Sequence, residues 1–281
     1  MIIWIASYPK SGNTYIRSLL SAYYFSKSGE FEFDLLKNIK QFPDNFFFDK
    51  ELNNIEDAFK SYVPAQKNIF ESKKANFLKT HNLLGFYKGY PFTIPEYTLG
   101  AIYIVRDPRN VILSLMNHYS LSEKEALDFI TDDNRDIHQD ENDFAAYSFL
   151  SSWAKHYTSW STTKKYRKLL IKYEELKDNK YEIFRDIIVY VNTLLNRTER
   201  VNKEKLKKAI ETTEFNILKH KEEKEGFVES AKDKKGKIKI FFNKGFENDW
   251  KNSISSKSIK KIEAKFYNEM VNLGYIKKNK N

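Results

Sequence analysis

The sequence predicts an α/β protein: three α/β/α layers around a mostly parallel central sheet, with residues 1–281 forming one domain that carries loop insertions. Two observations predict it. Short apolar, β-branched runs alternate with helical patterns, the arrangement that builds parallel sheets. No internal repeat and no Pro/Gly/Ser-rich linker divides the chain. A chain of 281 residues can bury a large core, and its 41% hydrophobic and 16% aromatic content is that of a globular protein.

The first element is the run Ile2-Ile3-Trp4-Ile5-Ala6, a buried strand. Ser7-Tyr8-Pro9-Lys10-Ser11-Gly12-Asn13-Thr14-Tyr15 follows as a tight, P-loop-like turn carrying Lys, Gly and hydroxyls. Ile16, Leu19, Leu20, Tyr23 and Tyr24 then fall on one face of a helix. A strand-turn-helix of this kind gathers backbone N–H groups and a helix N-terminus around one point, which is how proteins hold phosphate. The plainer reading is an ordinary turn with an exposed Lys. A Walker A loop has a Gly, four residues, then Gly-Lys-Ser/Thr. Here the Lys precedes the Gly, the first Gly is missing, and no acid clearly supplies a magnesium site, so no metal is expected.

Three more runs predict buried parallel strands: Asn76–Thr80, 101–105 and 168–173. Asp107 is placed to cap a helix over 111–118, with Pro108 in its first turn. Residues 144–166 read as one long aromatic helix, and 181–195 and 203–211 as two more. Ligands bind beyond the carboxyl ends of parallel strands. The Lys10 turn, Thr80-His81 and Arg106-Asp107 each end a predicted strand, so all three are expected at one crevice. Segments 27–75, 120–143 and 220–242 lack clear periodicity and read as insertions or mobile loops, where substrate recognition usually sits. The aromatics Phe31, Phe33, Phe46, Phe47, Phe48, Tyr87 and Tyr90 either line an apolar pocket or form a local core.

The formal charge of +10 fits either an anionic partner or a lysine-rich solvated surface. Nucleic acid is not expected as a partner, because no reader motif is present. The absence of cysteine excludes disulfides and thiolate chemistry and fits a reducing compartment. No apolar run is long enough for a signal peptide or membrane span, so a cytoplasmic protein without a transmembrane segment is expected.

The set of motifs resembles the PAPS-dependent sulfotransferases, in their soluble, cytosolic-type branch; PAPS is 3′-phosphoadenosine 5′-phosphosulfate. Ser7 to Tyr15 is similar to that family's phosphosulfate-binding loop, and Lys79-Thr80-His81 to its second-strand motif. Val105-Arg106-Asp107-Pro108-Arg109-Asn110-Val111, with Ser114 and His118-Tyr119, resembles its 3′-phosphate-binding segment. Tyr173-Glu174-Glu175 resembles its Tyr-Glu-Asp signature, and Thr212-Thr213-Glu214-Phe215 an adenine-contacting segment. Residues 242–251 resemble its Arg-Lys-Gly…Gly-Asp-Trp-Lys motif.

The resemblance implies transfer of a sulfuryl group from PAPS, leaving the bisphosphate PAP, to an acceptor hydroxyl or amine by in-line displacement and without a metal. His81 would be the general base, since an imidazole titrates near operating pH. Lys10 would stabilise the leaving phosphate, and Lys79 would contact the sulfuryl group. Ser11, Gly12, Asn13 and Thr14 would hold the 5′-phosphate, with Tyr15 against adenine. Arg106 and Ser114 would bind the 3′-phosphate, an Arg fork suiting that anion. Tyr173, Thr213 and Phe215 would contact adenine, and Asn243, Lys244 and Gly245 would close the 3′-phosphate site. His118 and His156 lie in helical patterns and read as structural.

Three departures stand out. Asn243 replaces an Arg, leaving Lys239 and Arg109 as candidates to supply the missing charge. Asn248 replaces the last Gly of that motif. The family's short C-terminal dimer motif is degraded, so no oligomeric state is expected from it. The acceptor class left open is a small molecule, a lipid-linked molecule or a glycan. Two other readings compete: a P-loop-like nucleoside or small-molecule kinase using ATP and magnesium, and a nucleic-acid-binding module resting on charge alone.

Overall fold

The computed structural model describes residues 1–72, 74–138, 144–231, 236–247 and 249–278. Asn248 and parts of the 120–143 and 220–242 segments therefore lie outside the described residues. Five strands form one parallel sheet: β1 (Ile2–Ser7), β2 (Lys40–Gln41), β3 (Asn76–Thr80), β4 (Thr98–Val105) and β5 (Arg167–Lys172), in the order β2-β3-β1-β4-β5. β1 is central and wholly buried, which is why it reads as an unbroken apolar run. Its residues alternate between two cores.

On one face Ile2, Trp4 and Ala6 join Leu78, Tyr103 and Val105. Covering this face are α2 (Ile55–Glu71), α3 (Pro108–Tyr119), α4 (Glu123–Thr131), α5 (Trp153–Thr162), α9 (Ser256–Lys265) and α10 (Tyr267–Asn272). On the other face Ile3 and Ile5 join Phe77, Ile102 and Ile104. There α1 (Asn13–Phe25), α6 (Lys180–Leu194), α7 (Lys203–Thr212) and α8 (Phe215–Glu225) pack. Each fully buried Ile side chain contributes roughly 1.5–3 kcal/mol, so the sheet holds both helical layers. This is the three-layer α/β/α arrangement expected.

Elements differ from expectation in three places. The helix expected over 144–166 is only Trp153–Thr162. Before it, Ser148–Phe149 pairs antiparallel with Asp136–Ile137, and the Leu150 and Ser151 amides both donate to the Arg135 carbonyl. Ser151 takes φ 60, which breaks any helix there, and the aromatic pattern reflects burial of Tyr147 and Leu150 in extended chain. Segment 27–75 is not merely loop. It contains α2, capped by Asn54, whose side chain accepts from the Asp57 amide, with Ala58, Phe59, Tyr62, Ala65 and Gln66 on its buried face. Pro64 and the polar residues between those positions obscured that pattern. Segment 120–143 likewise contains α4, opened by a Ser122/Glu125 capping box.

The strand order reverses on either side of β1, and a crevice opens beyond the carboxyl ends of β3, β1 and β4. That is where the chemistry-bearing residues converge. Most of the aromatics with an open reading do not line it: Phe31 is in the core, and Phe33, Phe47, Phe48 and Tyr87 pack against it. Phe46 and Tyr90 are exposed.

Candidate active site

The turn after β1 is built by two left-handed residues, Lys10 (φ 65) and Gly12 (φ 99). Alternation of this kind curls successive amides toward one point. Gly12 caps α1 without a side chain, and no acid stands in the first turn, so the helix N-terminus is available to an anion. Glycine is required at 12 for a second reason: a Cβ there would lie 2.3 Å from the Tyr173 ring. Asn13 Nδ2 donates to the Ile5 carbonyl (3.0 Å) and Ser7 Oγ (3.2 Å), bracing the turn against the strand. Ser11 is buried beneath the turn and its Oγ has no partner among the described residues.

An internal carboxylate lies in this cradle. Thr14 Oγ1 donates to Glu229 Oε2 at 2.8 Å, and Arg17 Nη1 and Lys79 Nζ donate to Glu229 Oε1 at 2.5 and 3.4 Å. Burial pushes the Glu229 carboxyl up, but Lys79, Arg17 and the Thr14 bond outweigh it and hold the group far below its ordinary value. The contact shows by geometry that the first turns of α1 and the end of β3 hold a carboxylate oxyanion. Lys10 Nζ sits 4.0 Å over the Phe241 ring. Burial brings its ammonium down to about 7; Glu229 opposes this, and Lys79 and Arg106 add to it.

His81 follows β3. Its Nδ1 lies 2.8 Å from the Ser7 carbonyl oxygen. A carbonyl only accepts, so the proton is on Nδ1 and Nε2 carries the lone pair. Burial, reinforced by Lys79, lowers the imidazole to about 3, so it is neutral near pH 7 and, contrary to the expectation from sequence, does not titrate near operating pH. His156 sits behind it: its Nε2 donates to the His81 carbonyl (3.0 Å) and its Nδ1 pairs with the Tyr103 hydroxyl (2.9 Å).

Arg106, at the end of β4, ties the site together. Its Nη1 donates to the Lys10 carbonyl (3.1 Å) and Ser114 Oγ (3.3 Å), and its Nη2 to the Gly245 carbonyl (3.0 Å). Its guanidinium lies 4.4 Å over the Tyr173 ring, and its Nε is buried without a partner among the described residues. Tyr173 stacks on Phe246 at 4.8 Å, and Phe246 meets Tyr15 edge-on at 6.1 Å. These three rings form an aromatic wall beside the cradle. The Arg109 side chain is instead consumed by Asp107, Glu263, the Tyr275 carbonyl and the Trp250 face. It is not free to replace the missing Arg at 243. Lys239 bonds the Asn117 carbonyl and Ser120 Oγ (2.9 Å) at the far end of α3, so it does not face Asn243 either.

A cavity of about 1360 Å³ opens among these elements. It brings together Lys10, Gly12, Asn13, Thr14, Tyr15, Lys79, His81, Arg106, Ser114, Tyr173, Phe215, Asn243, Lys244 and Gly245. It does not bring in Ser11, which is fully buried, or Thr213, which is buried with its hydroxyl donated to the Ala209 carbonyl at 2.7 Å. Among the described residues no cluster of acids, histidines or cysteines has the geometry of a metal site.

Residues 2–274 match the family model of the sulfotransferase domain. The chain belongs to the sulfotransferase domain family. A curated relative, mouse Sulfotransferase 1 family member D1, is 21% identical over 277 residues, covering 95% of this sulfotransferase and 83% of that protein. The fold is similar to mouse sulfotransferase SULT7A1 complexed with PAP, with a TM-score of 0.57 and 19% identity over 96% of this chain and 84% of that one. It is also similar to retinol dehydratase in complex with androsterone and inactive cofactor PAP, with a TM-score of 0.60 and 15% identity over 96% and 80%.

In this sulfotransferase four functional features were not read from the sequence. Glu229 and Arg17 meet across the chain, and neither belongs to a motif. Phe246 builds the aromatic wall. His118, read as structural, lines the cavity: burial and then Lys10 lower its imidazole to about 3, and its ring meets Phe241 edge-on at 5.9 Å. A helical pattern shows that a residue is on a face but not which neighbour that face meets.

Proposed function

We propose that this chain transfers a sulfuryl group from PAPS to a small-molecule hydroxyl or amine held in the cavity, with His81 as general base. One observation carries the reading: Nδ1 of His81 is bound to the Ser7 carbonyl, so Nε2 offers a lone pair to the same cavity that Lys10, Thr14 and Lys79 line. PAPS supplies an activated sulfuryl group on a phosphate leaving group. Nε2 takes the acceptor proton as the acceptor oxygen or nitrogen bonds to sulfur. The electron pair of the broken sulfur–oxygen bond stays on the bridging phosphate oxygen, where the Lys10 ammonium neutralises it. Lys79 steadies the sulfuryl oxygens, and Thr14 with the α1 N-terminus holds the 5′-phosphate. Ser11 lies buried beneath them and supports the turn.

Arg106 is a fork held by two backbone carbonyls, with Ser114 beside it, and this supports the 3′-phosphate role. Lys244 is exposed on the loop whose Gly245 carbonyl Arg106 holds, which supports a cationic role for it at the same end. Asn243 lies on that loop and adds a neutral donor. The wall of Tyr15, Tyr173 and Phe246, with Phe215 against Gly245, gives adenine an apolar face. The buried Thr213 hydroxyl supports α7 rather than adenine. We place the enzyme in the cytoplasm on its cysteine-free composition.

The test is transfer from labelled PAPS, with EDTA present, to a panel of phenols, alcohols, amines, lipid-linked hydroxyls and glycans. Labelled product from a small-molecule acceptor is expected. Transfer only from ATP with magnesium contradicts the reading, and product only from glycans or lipid-linked acceptors overturns its small-molecule part.

A further inference from the structure

Glu229 and Arg17 have no part in the transfer just described, yet they lie in the middle of its anion cradle. The Glu229 carboxylate accepts hydrogen bonds from the Thr14 hydroxyl, one Arg17 Nη and the Lys79 ammonium. A hydroxyl has one proton to donate. A phosphate or sulfuryl oxygen can therefore receive Thr14 only after Glu229 withdraws, and two anions in one cradle repel each other. Arg17 is one helical turn beyond Thr14, and its side chain is 6% exposed. Its Nη2 donates to the Ile39 carbonyl at 3.1 Å, and its Nε is buried without a partner among the described residues. Glu229 is the only acid within ion-pair distance of it among the described residues. A buried guanidinium left by its carboxylate needs another anion.

We propose that Glu229 is a built-in competitor for the donor's anionic group, and that Arg17 is a donor-binding cation which exchanges that carboxylate for the donor. The segment around Glu229 suits such a withdrawal. α8 ends at Glu225, Gly226 has φ 75 with open space where a Cβ would be, and Val228 is 92% exposed. The neighbouring Ser230 stays fixed through its hydroxyl, which donates to Glu222 at 2.6 Å. The carboxylate can thus leave by rotation about its own side chain without unravelling the segment. The consequence is a donor site that is preformed but self-screened. Its cations stay paired and desolvated until a stronger, multiply charged anion takes them over.

The proposal rests on the sulfotransferase reading, and its test separates the two. Adenosine 3′,5′-bisphosphate is titrated calorimetrically into wild type, Glu229→Gln, and Glu229→Gln combined with Arg17→Gln. Glu229→Gln is expected to tighten binding tenfold or more, and the added Arg17→Gln to reverse at least most of that gain. Should Glu229→Gln not fold, Glu229→Asp, whose shorter carboxylate reaches Arg17 and Thr14 less well, is expected to tighten binding about threefold. Wild-type binding that a folded 229 variant leaves unchanged or weakens overturns the competitor while the donor reading stands. A double variant that binds like Glu229→Gln overturns the role of Arg17. Failure of folded wild type and all variants to bind the bisphosphate overturns the donor reading and this inference together.

Discussion

His81 and Lys10 divide the work between a neutral base and a tunable cation. The Ser7 carbonyl sets the His81 tautomer, so the base is poised by the strand that also launches the anion turn. Lys10 has the more telling titration. Its ammonium is brought to about 7, chiefly by burial, whereas the His81 and His118 imidazoles are lowered to about 3 and stay neutral. The sign follows: Lys10 is charged below pH 7 and loses its proton as the pH rises through 7, so an anion binding above that pH must bring a proton back. Bisphosphate affinity is expected to fall from pH 7.5 to 9, with proton uptake approaching about one per ligand, read from calorimetry in buffers of different ionisation heat. In Lys10→Arg, which stays charged, uptake and pH dependence are expected to vanish. Uptake that is absent in wild type would contradict the assignment. Of these residues, Lys10 and His81 were legible because each follows the end of a strand. Glu229, 212 residues from Arg17, was not, because nothing local marks a carboxylate that pairs over such a distance.

At the scale of elements, α3 matters most, because its first turn sets the far end of the site. Asp107 accepts from the Arg109 amide at 2.9 Å and binds its guanidinium at 2.6 Å, and Glu174 accepts from the Asp107 amide at 2.9 Å. Tyr275 donates to the second Glu174 oxygen at 2.9 Å, tying in the C-terminal helices. Asp107→Ala removes a cap and leaves a buried Arg one acid short. It is expected to cost about 3 kcal/mol or more in denaturant unfolding and to weaken bisphosphate binding by loosening Arg106 and Ser114. A cost below about 1 kcal/mol would show the network to be dispensable. The Asp-Pro pair announced this cap and helix, and Asn76–Thr80 appeared at its predicted bounds because a strand buried on both faces has an unambiguous pattern. The aromatic run 144–166 misled because a period-independent density of buried rings suits extended chain as well as helix. α2 was missed because Pro64 interrupts its pattern while tertiary packing still holds the helix.

For the whole molecule, three strand ends, α1, α3 and the C-terminal loop close on one cavity, so a ligand there bridges segments from distant parts of the chain. Bisphosphate without magnesium is therefore expected to stabilise the protein by about 2.7 kcal/mol at a hundred times its dissociation constant, or roughly 5 °C in Tm. Stabilisation only by ATP with magnesium would contradict this. The net charge of +10 could not reveal the cavity, since Arg17, Lys79 and Arg106 are buried, Lys10 is half-buried, and they come from three separate stretches of the chain. The order of the motifs was legible, while the pairing of its cations with an internal acid was a property of the folded chain alone. The account stands or falls on His81 acting as a base rather than a brace. The deciding measurement sets turnover of labelled PAPS against bisphosphate binding in His81→Ala. The account predicts turnover lost by about 10²–10⁴-fold with the dissociation constant within about threefold of wild type. Retained turnover, or binding lost along with it, would contradict the claim.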